Sequence, residues 1–241
     1  MTFSATELER EADRLLRALL HVECDPRGRK WNHETCLGIA PLTLEINRLK
    51  RERGAVLLAH SYVDPEITYG VADHRGDSYF LSLRASEARA QVIVFAGVVF
   101  MAETAKILCP SAEVLVPDRG SGCSLADSLT GDDLRRLKAL HPDAAVVCYI
   151  NSTAEVKAES DVCVTSGNVH AIIAALPERK VLFVPDRLMG QNVRDELRRR
   201  GVDKEIITSD GACIVHEEFG PAEVAESRRQ FPGLRVVAHP E

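Results

Sequence analysis

The sequence has few aromatic residues and no long apolar run. Phenylalanine, tyrosine and tryptophan make up 5% of the 241 residues, and only one of them is tryptophan. No apolar segment approaches the roughly 20 residues that a transmembrane helix needs, so we expect no membrane contact. The first ten residues also lack the basic segment and apolar core of a secretion signal. We therefore expect a cytoplasmic protein.

An excess of positive charge is also missing. The formal net charge is −6, and the 30 lysines and arginines are dispersed among 36 acidic residues. The densest basic stretch, Arg198–Arg200, fits the last turn of a solvated helix. An acidic chain without a basic patch is poorly suited to nucleic acids, so we expect no nucleic-acid partner.

Seven cysteines are present, but without a secretion signal they do not indicate a disulfide framework. We expect free thiols or metal ligands. Three of them lie in or beside apolar segments and are interpreted as small buried hydrophobic residues: Cys109, Cys148 and Cys163.

A segment over residues 23–41 appears irregular and holds Cys24, His33 and Cys36. Cysteine and histidine on a loop suggest zinc, but the spacing matches no compact zinc pattern. Structural or incidental roles are therefore favoured over a metal site there.

From residue 55 onward, short apolar strands alternate with helical segments. Continuous apolar strands between helices are typical of parallel sheets that are covered on both faces. Ahead of them, the apolar periodicity predicts a helix over 4–20, and a second helix over 41–53 ends at Gly54. The predicted fold class is α/β.

The chain also repeats itself at about 90 residues. Cys123 and Cys213 are 90 residues apart, and each lies on a glycine-containing loop after a strand. Polar residues kept in register at strand ends are hard to explain by chance, so we predict an internal duplication. The other matches, at offsets of 88 and 89, are His60 with Tyr149, Tyr62 with Asn151, Ser78 with Ser166, and residues 92–95 with 181–184.

The repeat predicts tandem αβα units arranged around a pseudo-threefold axis. A third unit would hold only one strand, over 235–238, and one strand cannot form an independent unit, so we expect a truncated third repeat. Its own cysteine would lie about 90 residues beyond Cys213. The predicted ranges are an N-terminal helical extension over 1–54, a first repeat over 55–141, a second over 142–231 and the start of a third over 232–241.

One thiolate from each of three repeats could hold three irons of a cubane cluster. The fourth iron would stay open to substrate as a Lewis acid, and soft thiolates suit iron–sulfur clusters. Two cysteines 90 residues apart are weak evidence alone, and two free loop thiols remain the alternative.

Several longer motifs are similar to those of one enzyme family, in order from about residue 40 to 241. The first half of the chain has Leu58-Ala59-His60-Ser61-Tyr62-Val63-Asp64-Pro65, Gly76-Asp77-Ser78, Met101-Ala102-Glu103-Thr104-Ala105-Lys106 and Gly122-Cys123-Ser124-Leu125. The second half has Tyr149-Ile150-Asn151-Ser152, Val164-Thr165-Ser166, Pro185-Asp186-Arg187, Gly211-Ala212-Cys213-Ile214-Val215-His216-Glu217 and Ala238-His239-Pro240-Glu241. Together they resemble the quinolinate synthases, iron–sulfur enzymes of NAD biosynthesis.

The resemblance implies condensation of iminoaspartate with dihydroxyacetone phosphate, with loss of phosphate and two waters, to form quinolinate. It implies three αβα domains and one [4Fe-4S] cluster held by one cysteine from each. Cys123 and Cys213 match two of these metal ligands, and the third family cysteine lies beyond Glu241. An aspartate-oxidising enzyme is implied as a partner.

The resemblance also assigns site residues. His60, Tyr62 and Glu241 match groups that take part in proton transfer. Lys106, Arg187 and His216 lie inside motifs, where binding and structural ion pairing are equally open. The positions matched to substrate contacts are His60, Ser78, Tyr149, Asn151, Ser166, His239 and Glu241.

Two other functions remain open from the sequence. One is a catalytically silent relative that binds a phosphorylated or dicarboxylate ligand without any iron–sulfur cluster. The other is a zinc protein that uses Cys24 with Cys36, or Cys123 with Cys213.

Overall fold

The chain folds into two compact units, one ending at Ser121 and the other beginning at Gly122. The structure is a computed structural model that describes residues 3–22, 28–237 and 239. Each unit has its own parallel sheet with helices on both faces. The α/β class and the αβα layering are thus confirmed.

The first unit holds a four-stranded parallel sheet with strand order β2-β1-β3-β4. Two long helices precede it and three shorter ones connect its strands. The elements are α1 (Ala5–Leu19), α2 (His33–Arg53), β1 (Ala55–His60), α3 (Pro65–Thr68), β2 (His74–Gly76), α4 (Ser78–Glu87), β3 (Val92–Ala96), α5 (Val99–Leu108) and β4 (Glu113–Leu115).

The second unit holds an equivalent parallel sheet with strand order β6-β5-β7-β8. A short 3-10 turn at Ala126–Ser128 precedes its first helix. The elements are α6 (Gly131–Leu140), β5 (Ala144–Tyr149), α7 (Ala154–Ala158), β6 (Val162–Val164), α8 (Val169–Ala175), β7 (Lys180–Val184), α9 (Arg187–Arg199), β8 (Glu205–Thr208), α10 (Ile214–Glu217) and α11 (Pro221–Gln230).

The duplication appears in the strand order and in the register of the central strands. Leu58 pairs with Phe95 across β1 and β3, and Val147 pairs with Phe183 across β5 and β7. Both phenylalanines are fully buried. Phe95 is thus equivalent to Phe183 at an offset of 88, so the offset of 89 predicted for this strand is wrong by one residue.

A carboxylate next to the first strand of each sheet repeats the duplication in detail. Asp73 accepts a 2.8 Å hydrogen bond from the N–H of Leu57, and Asp161 accepts one of 2.8 Å from the N–H of Val146. Each aspartate also donates its own N–H to the carbonyl of that same partner, at 2.8 and 2.9 Å. Both units therefore fasten the start of their central strand with the same reciprocal pair of bonds.

The helix ahead of each sheet is duplicated too. Lys50 on α2 donates to the carbonyl of Val71 at 2.6 Å, and Lys138 on α6 donates to the carbonyl of Glu159 at 2.6 Å. The structural repeat therefore includes its leading helix, and α11 follows α6 at an offset of 90. The predicted boundaries at 55, 142 and 232 each lie two residues after the end of α2, α6 and α11, and they stay predictions about the sequence repeat.

Helix α2 begins earlier than predicted, at His33. Asn32 accepts the N–H of Thr35 at 2.9 Å, and the Thr35 hydroxyl accepts the N–H of Asn32 at 2.9 Å, so a capping box starts the helix. Pro41 lies inside α2, and Cys36 is buried against α1. The irregular segment predicted up to residue 41 is therefore wrong over 33–41, while Cys24 lies outside the described residues.

Two predictions about strands are also corrected. β2 was not predicted, because His74, Arg75 and Gly76 do not form an apolar run. The strand predicted over 235–238 is absent from the described residues 235–237, where Val237 is 91% exposed. A segment without a neighbouring strand has no partner for the main-chain hydrogen bonds of a sheet. Among the described residues, no helix is both long and apolar enough to cross a membrane.

Candidate functional site

In the first unit, His60 is the last residue of β1, and Tyr62 lies two residues later. Their rings lie 3.9 Å apart between centroids at an angle of 35°. The N–H of Tyr62 donates to Nδ1 of His60 at 3.4 Å. In the neutral imidazole this geometry assigns the proton to Nε2, so Nε2–H is a donor.

Burial controls the ionisation of His60. Loss of hydration lowers the pKa of the imidazole below its ordinary value, and the carboxylate of Asp77 opposes this shift only in part. His60 is therefore a neutral imidazole at neutral pH.

Ser78 and Ser166, which the resemblance matches to substrate contacts, do not cap helices. Asp77 caps α4 through a 2.8 Å bond from the N–H of Phe80, so Ser78 is the first residue inside the helix. In the second unit, Asn168 accepts the N–H of Thr165 at 2.7 Å, and Ser166 lies between them. The serine hydroxyls are thus not consumed by capping, and Oγ of Ser166 lies 3.0 Å from Nε2 of His239.

A cavity of about 230 Å³ opens beside Tyr62 at the carboxyl ends of β1, β3 and β4. Ala96, Gly97 and Val98 line one wall, and Asp118 and Ser121 line another. Two larger clefts, of about 540 and 630 Å³, lie at the amino ends of the two sheets among charged side chains. We favour the smaller cavity as the ligand site, because α/β proteins bind ligands beyond the carboxyl ends of their strands.

Both cysteine loops are held by the same main-chain contact. The N–H of Val99, at the start of α5, donates to the carbonyl of Ser121 at 2.9 Å. The N–H of Arg187, at the start of α9, donates to the carbonyl of Gly211 at 2.8 Å. Each accepting carbonyl lies two residues ahead of a cysteine. A main-chain hydrogen bond therefore holds each cysteine loop in place just before the cysteine.

The turn after each cysteine is also duplicated. The carbonyl of Cys123 accepts the N–H of Asp127 at 2.8 Å, and the carbonyl of Cys213 accepts the N–H of Glu217 at 3.1 Å. Asp127 returns a bond, because its carboxylate accepts the N–H of Cys123 at 3.0 Å. Gly211 has no room for a side chain, since a Cβ there would clash with the carbonyl of Pro185.

The two thiols lie on one apolar core within the second unit. Cys123 and Cys213 are half-buried and pack against the same group of side chains, which includes Val147, Phe183 and Met189. Burial raises the pKa of the Cys123 thiol, and the charge of Cys213 adds to the rise. Both thiols thus belong to the same core, and cysteine thiolates are soft donors of the kind that bind iron.

The other predicted residues of the second unit follow the ends of β5 and β6. Tyr149 is buried and belongs to the apolar core, and Asn151 is half-buried two residues later. His239 is exposed and lies within hydrogen-bond distance of Ser166. Glu241 lies outside the described residues.

Lys106 and Arg187, which the motifs left undecided between binding and ion pairing, have structural partners. Lys106 donates to the carbonyls of Pro110 and Ala112 at 2.9 and 2.8 Å, and Arg187 pairs with Glu217 at 3.2 Å. A residue that sequence reasoning missed is Asp186, whose buried carboxylate caps α9 through the N–H of Met189 at 2.8 Å. Its signal was an aspartate directly after a strand and before a helix.

The described residues contain no group of three or more histidines, cysteines, aspartates or glutamates arranged to hold a metal. The prediction of buried cysteines holds for Cys148, whereas Cys109 is half-buried and Cys163 is exposed. Cys163 lies on the edge strand β6, which has a neighbour on one side only.

Comparison with known proteins identifies the family. The model of the family described as "NadA: Quinolinate synthetase A protein" matches residues 44–241. The chain is 50% identical over 193 residues to quinolinate synthase 2 of Mesorhizobium japonicum, covering 80% of this chain and 58% of that protein. Quinolinate synthases of Caulobacter vibrioides and Clostridium perfringens are 46% and 48% identical over 84% and 82% of the chain, and over 55% and 64% of their own lengths. The chain thus spans little more than half the length of these relatives, and it belongs to the quinolinate synthetase A family.

Proposed function

We propose that the protein acts in quinolinate synthesis for NAD biosynthesis. In this proposal, iminoaspartate and dihydroxyacetone phosphate condense to quinolinate, phosphate and two waters. An aspartate-oxidising enzyme would supply the iminoaspartate. Support comes from the family membership and from the placement of the matched residues at the carboxyl ends of the strands.

The observation that carries the proposal is the shared core under Cys123 and Cys213. Two half-buried thiols that pack on one apolar core fit the soft, thiolate-rich donor set of an iron–sulfur cluster. Cys123 and Cys213 would hold two irons of a [4Fe-4S] cluster. When bound, the cluster would supply an open iron that acts as a Lewis acid on a substrate oxygen.

In the first unit, His60 is suited to donate its Nε2–H to a substrate oxygen, because Nδ1 accepts the N–H of Tyr62. Its imidazole is neutral, because burial lowers its pKa, and Tyr62 covers one face of the ring. Ser78 and the free N–H groups at the start of α4 are suited to a phosphate or carboxylate.

In the second unit, Ser166 and His239 form a polar pair, and Asn151 offers an amide donor near the end of β5. These groups would bind and orient carboxylates. Glu241 is proposed as a further acid/base group from the family resemblance alone.

The test is anaerobic reconstitution of the chain with ferrous iron and sulfide, followed by iron and sulfide analysis. Cys123→Ser and Cys213→Ser should each lose most of the bound iron and the visible charge-transfer absorption. Cys109→Ser is the matched control, because its thiol bonds only the carbonyl of Ala85, at 3.0 Å, and should keep both. Full iron binding by Cys213→Ser would refute the assignment of the metal ligands.

A further inference from the structure

Cys148 and Cys163 are direct neighbours on adjacent strands of the second sheet. They are paired residues in the parallel register of β5 and β6. Neighbouring strands lie about 4.8 Å apart, and paired residues point to the same face of the sheet. A disulfide requires Cα atoms about 4.4–6.8 Å apart, so the backbone places this pair within bonding range.

The two thiols affect each other's ionisation. The Cys163 thiol is the largest cause that lowers the pKa of Cys148 to about 7, and the hydroxyl of Ser160 and the ammonium group of Lys157 lower it as well. Cys148 in turn raises the pKa of Cys163. At neutral pH the pair therefore holds one thiol and a substantial share of one thiolate.

The duplication provides an internal comparison. In the first sheet, the equivalent paired residues on β1 and β2 are Ala59 and Arg75. Both sheets have the same strand order, so the fold does not require sulfur at either position. The thiol pair is a feature of the second unit alone within the described residues.

We propose that Cys148 and Cys163 form a reversible disulfide, an oxidation-sensitive link between β5 and β6. The link would join the two strands one residue before Tyr149 and three residues before Ser166. Cys148 and Cys163 lie on strands and are separate from the thiols assigned to iron, Cys123 and Cys213, which lie on loops.

A peroxide can serve as the oxidant. Cys163 is exposed and Cys148 is fully buried, so the peroxide reaches Cys163 first. The thiolate of Cys148 takes the proton of the Cys163 thiol, and the resulting Cys163 thiolate attacks one oxygen of hydrogen peroxide. The O–O bond breaks to give a sulfenic acid on Cys163 and hydroxide, and the hydroxide removes the proton from Cys148 to become water. The thiolate of Cys148 then attacks that sulfenic sulfur and expels hydroxide. In sum, one thiol, one thiolate and one peroxide give the disulfide, water and hydroxide, with two electrons passing from sulfur to oxygen.

The experiment uses the iron-free 241-residue chain, so its result does not depend on the proposed enzyme activity. The reduced protein is treated with one equivalent of hydrogen peroxide, and free thiols are then blocked. Peptides are mapped by mass spectrometry without reduction. We expect one cross-linked peptide pair containing residues 148 and 163, a loss of two titratable thiols per chain, and recovery of both after dithiothreitol.

Matched variants sharpen the test. Cys148→Ala and Cys163→Arg copy the residues that the first repeat has at the same positions, and each should abolish the cross-linked pair. Cys109→Ser should keep it. Since the wild-type map needs no variant, poor folding of a variant does not affect the outcome. Oxidation of Cys163 to a sulfinic acid while Cys148 stays free, or linkage of Cys123 to Cys213 alone, would overturn the proposal.

Discussion

His60 shows how burial alone prepares a side chain for proton transfer. Its ring is covered by Tyr62, and the loss of hydration outweighs the attraction of Asp77. The pKa therefore falls, and the imidazole takes up a proton only in more acidic solution. Because unfolded chains protonate histidine near pH 6.5, the unfolded state binds more protons below that pH. The free energy of unfolding therefore decreases as the pH falls from about 6.5 through the lower pKa of His60 in the folded state.

The opposing causes can be separated by NMR titration of the Cε1 proton of His60. We expect a midpoint below about 6.5 for the native protein. Asp77→Asn should lower the midpoint further, because it removes the charge that favours the imidazolium. Tyr62→Ala should raise it, because water regains access to the ring. A higher midpoint in Asp77→Asn would contradict this account.

The helices ahead of the sheets determine how the chain is divided. α6 belongs to the second unit, because Leu134 is fully buried against Val146 and Leu182 of that sheet. Cys123 falls in the same unit, although the sequence repeat assigned it to the first. The predicted second repeat begins at residue 142, whereas the second compact unit begins at Gly122 and so includes Cys123 and α6.

Substitutions on α6 test its packing. Leu134→Ala should reduce the free energy of unfolding by about 2–5 kcal/mol, since it leaves a cavity in the core. Leu140→Ala lies on the same helix but is 72% exposed, so it should change stability by less than about 0.5 kcal/mol. Urea unfolding measures both. Equal losses would show that α6 does not anchor to this core.

Sequence reasoning succeeded where an element is apolar throughout and failed where its signal is local or polar. Apolar strands such as Val92–Ala96 and Val162–Val164 alternate with helices, as the sequence predicts. The start of α2 was hidden by Pro41, which is usually excluded from helix interiors, although a capping box begins the helix eight residues earlier. The strand ends that carry His60 and Tyr149 could be predicted. The common core beneath Cys123 and Cys213 could not, because it depends on tertiary packing.

Across the chain as a whole, the two units share bonds as well as strand order. The carboxylates of Asp73 and Asp161 accept the same strand N–H in each sheet. This equivalence of contacts goes further than the sequence repeat, because most side chains around the two aspartates differ.

Paired substitutions test whether the duplicated bonds have the same energy. Asp73→Ala should speed amide exchange at Leu57, and Asp161→Ala should speed it at Val146, each by about fivefold. This corresponds to about 1 kcal/mol for one lost hydrogen bond. Asp143→Ala, which removes only an exposed pair with Lys180, should leave both amides unchanged. Native-state hydrogen exchange gives all three values, and an effect at only one amide would contradict the equivalence.

The main-chain bonds ahead of Cys123 and Cys213 also affect how the protein can vary. Each thiol is positioned by an N–H and a carbonyl, groups that nearly every amino acid supplies. Val99 and Arg187 make the same bond, as do Ser121 and Gly211, without any likeness of side chain. Mutation can therefore change the chemistry around the two sulfurs while their anchoring is inherited unchanged. Proline at 99 or 187 is the exception, since it lacks the required N–H.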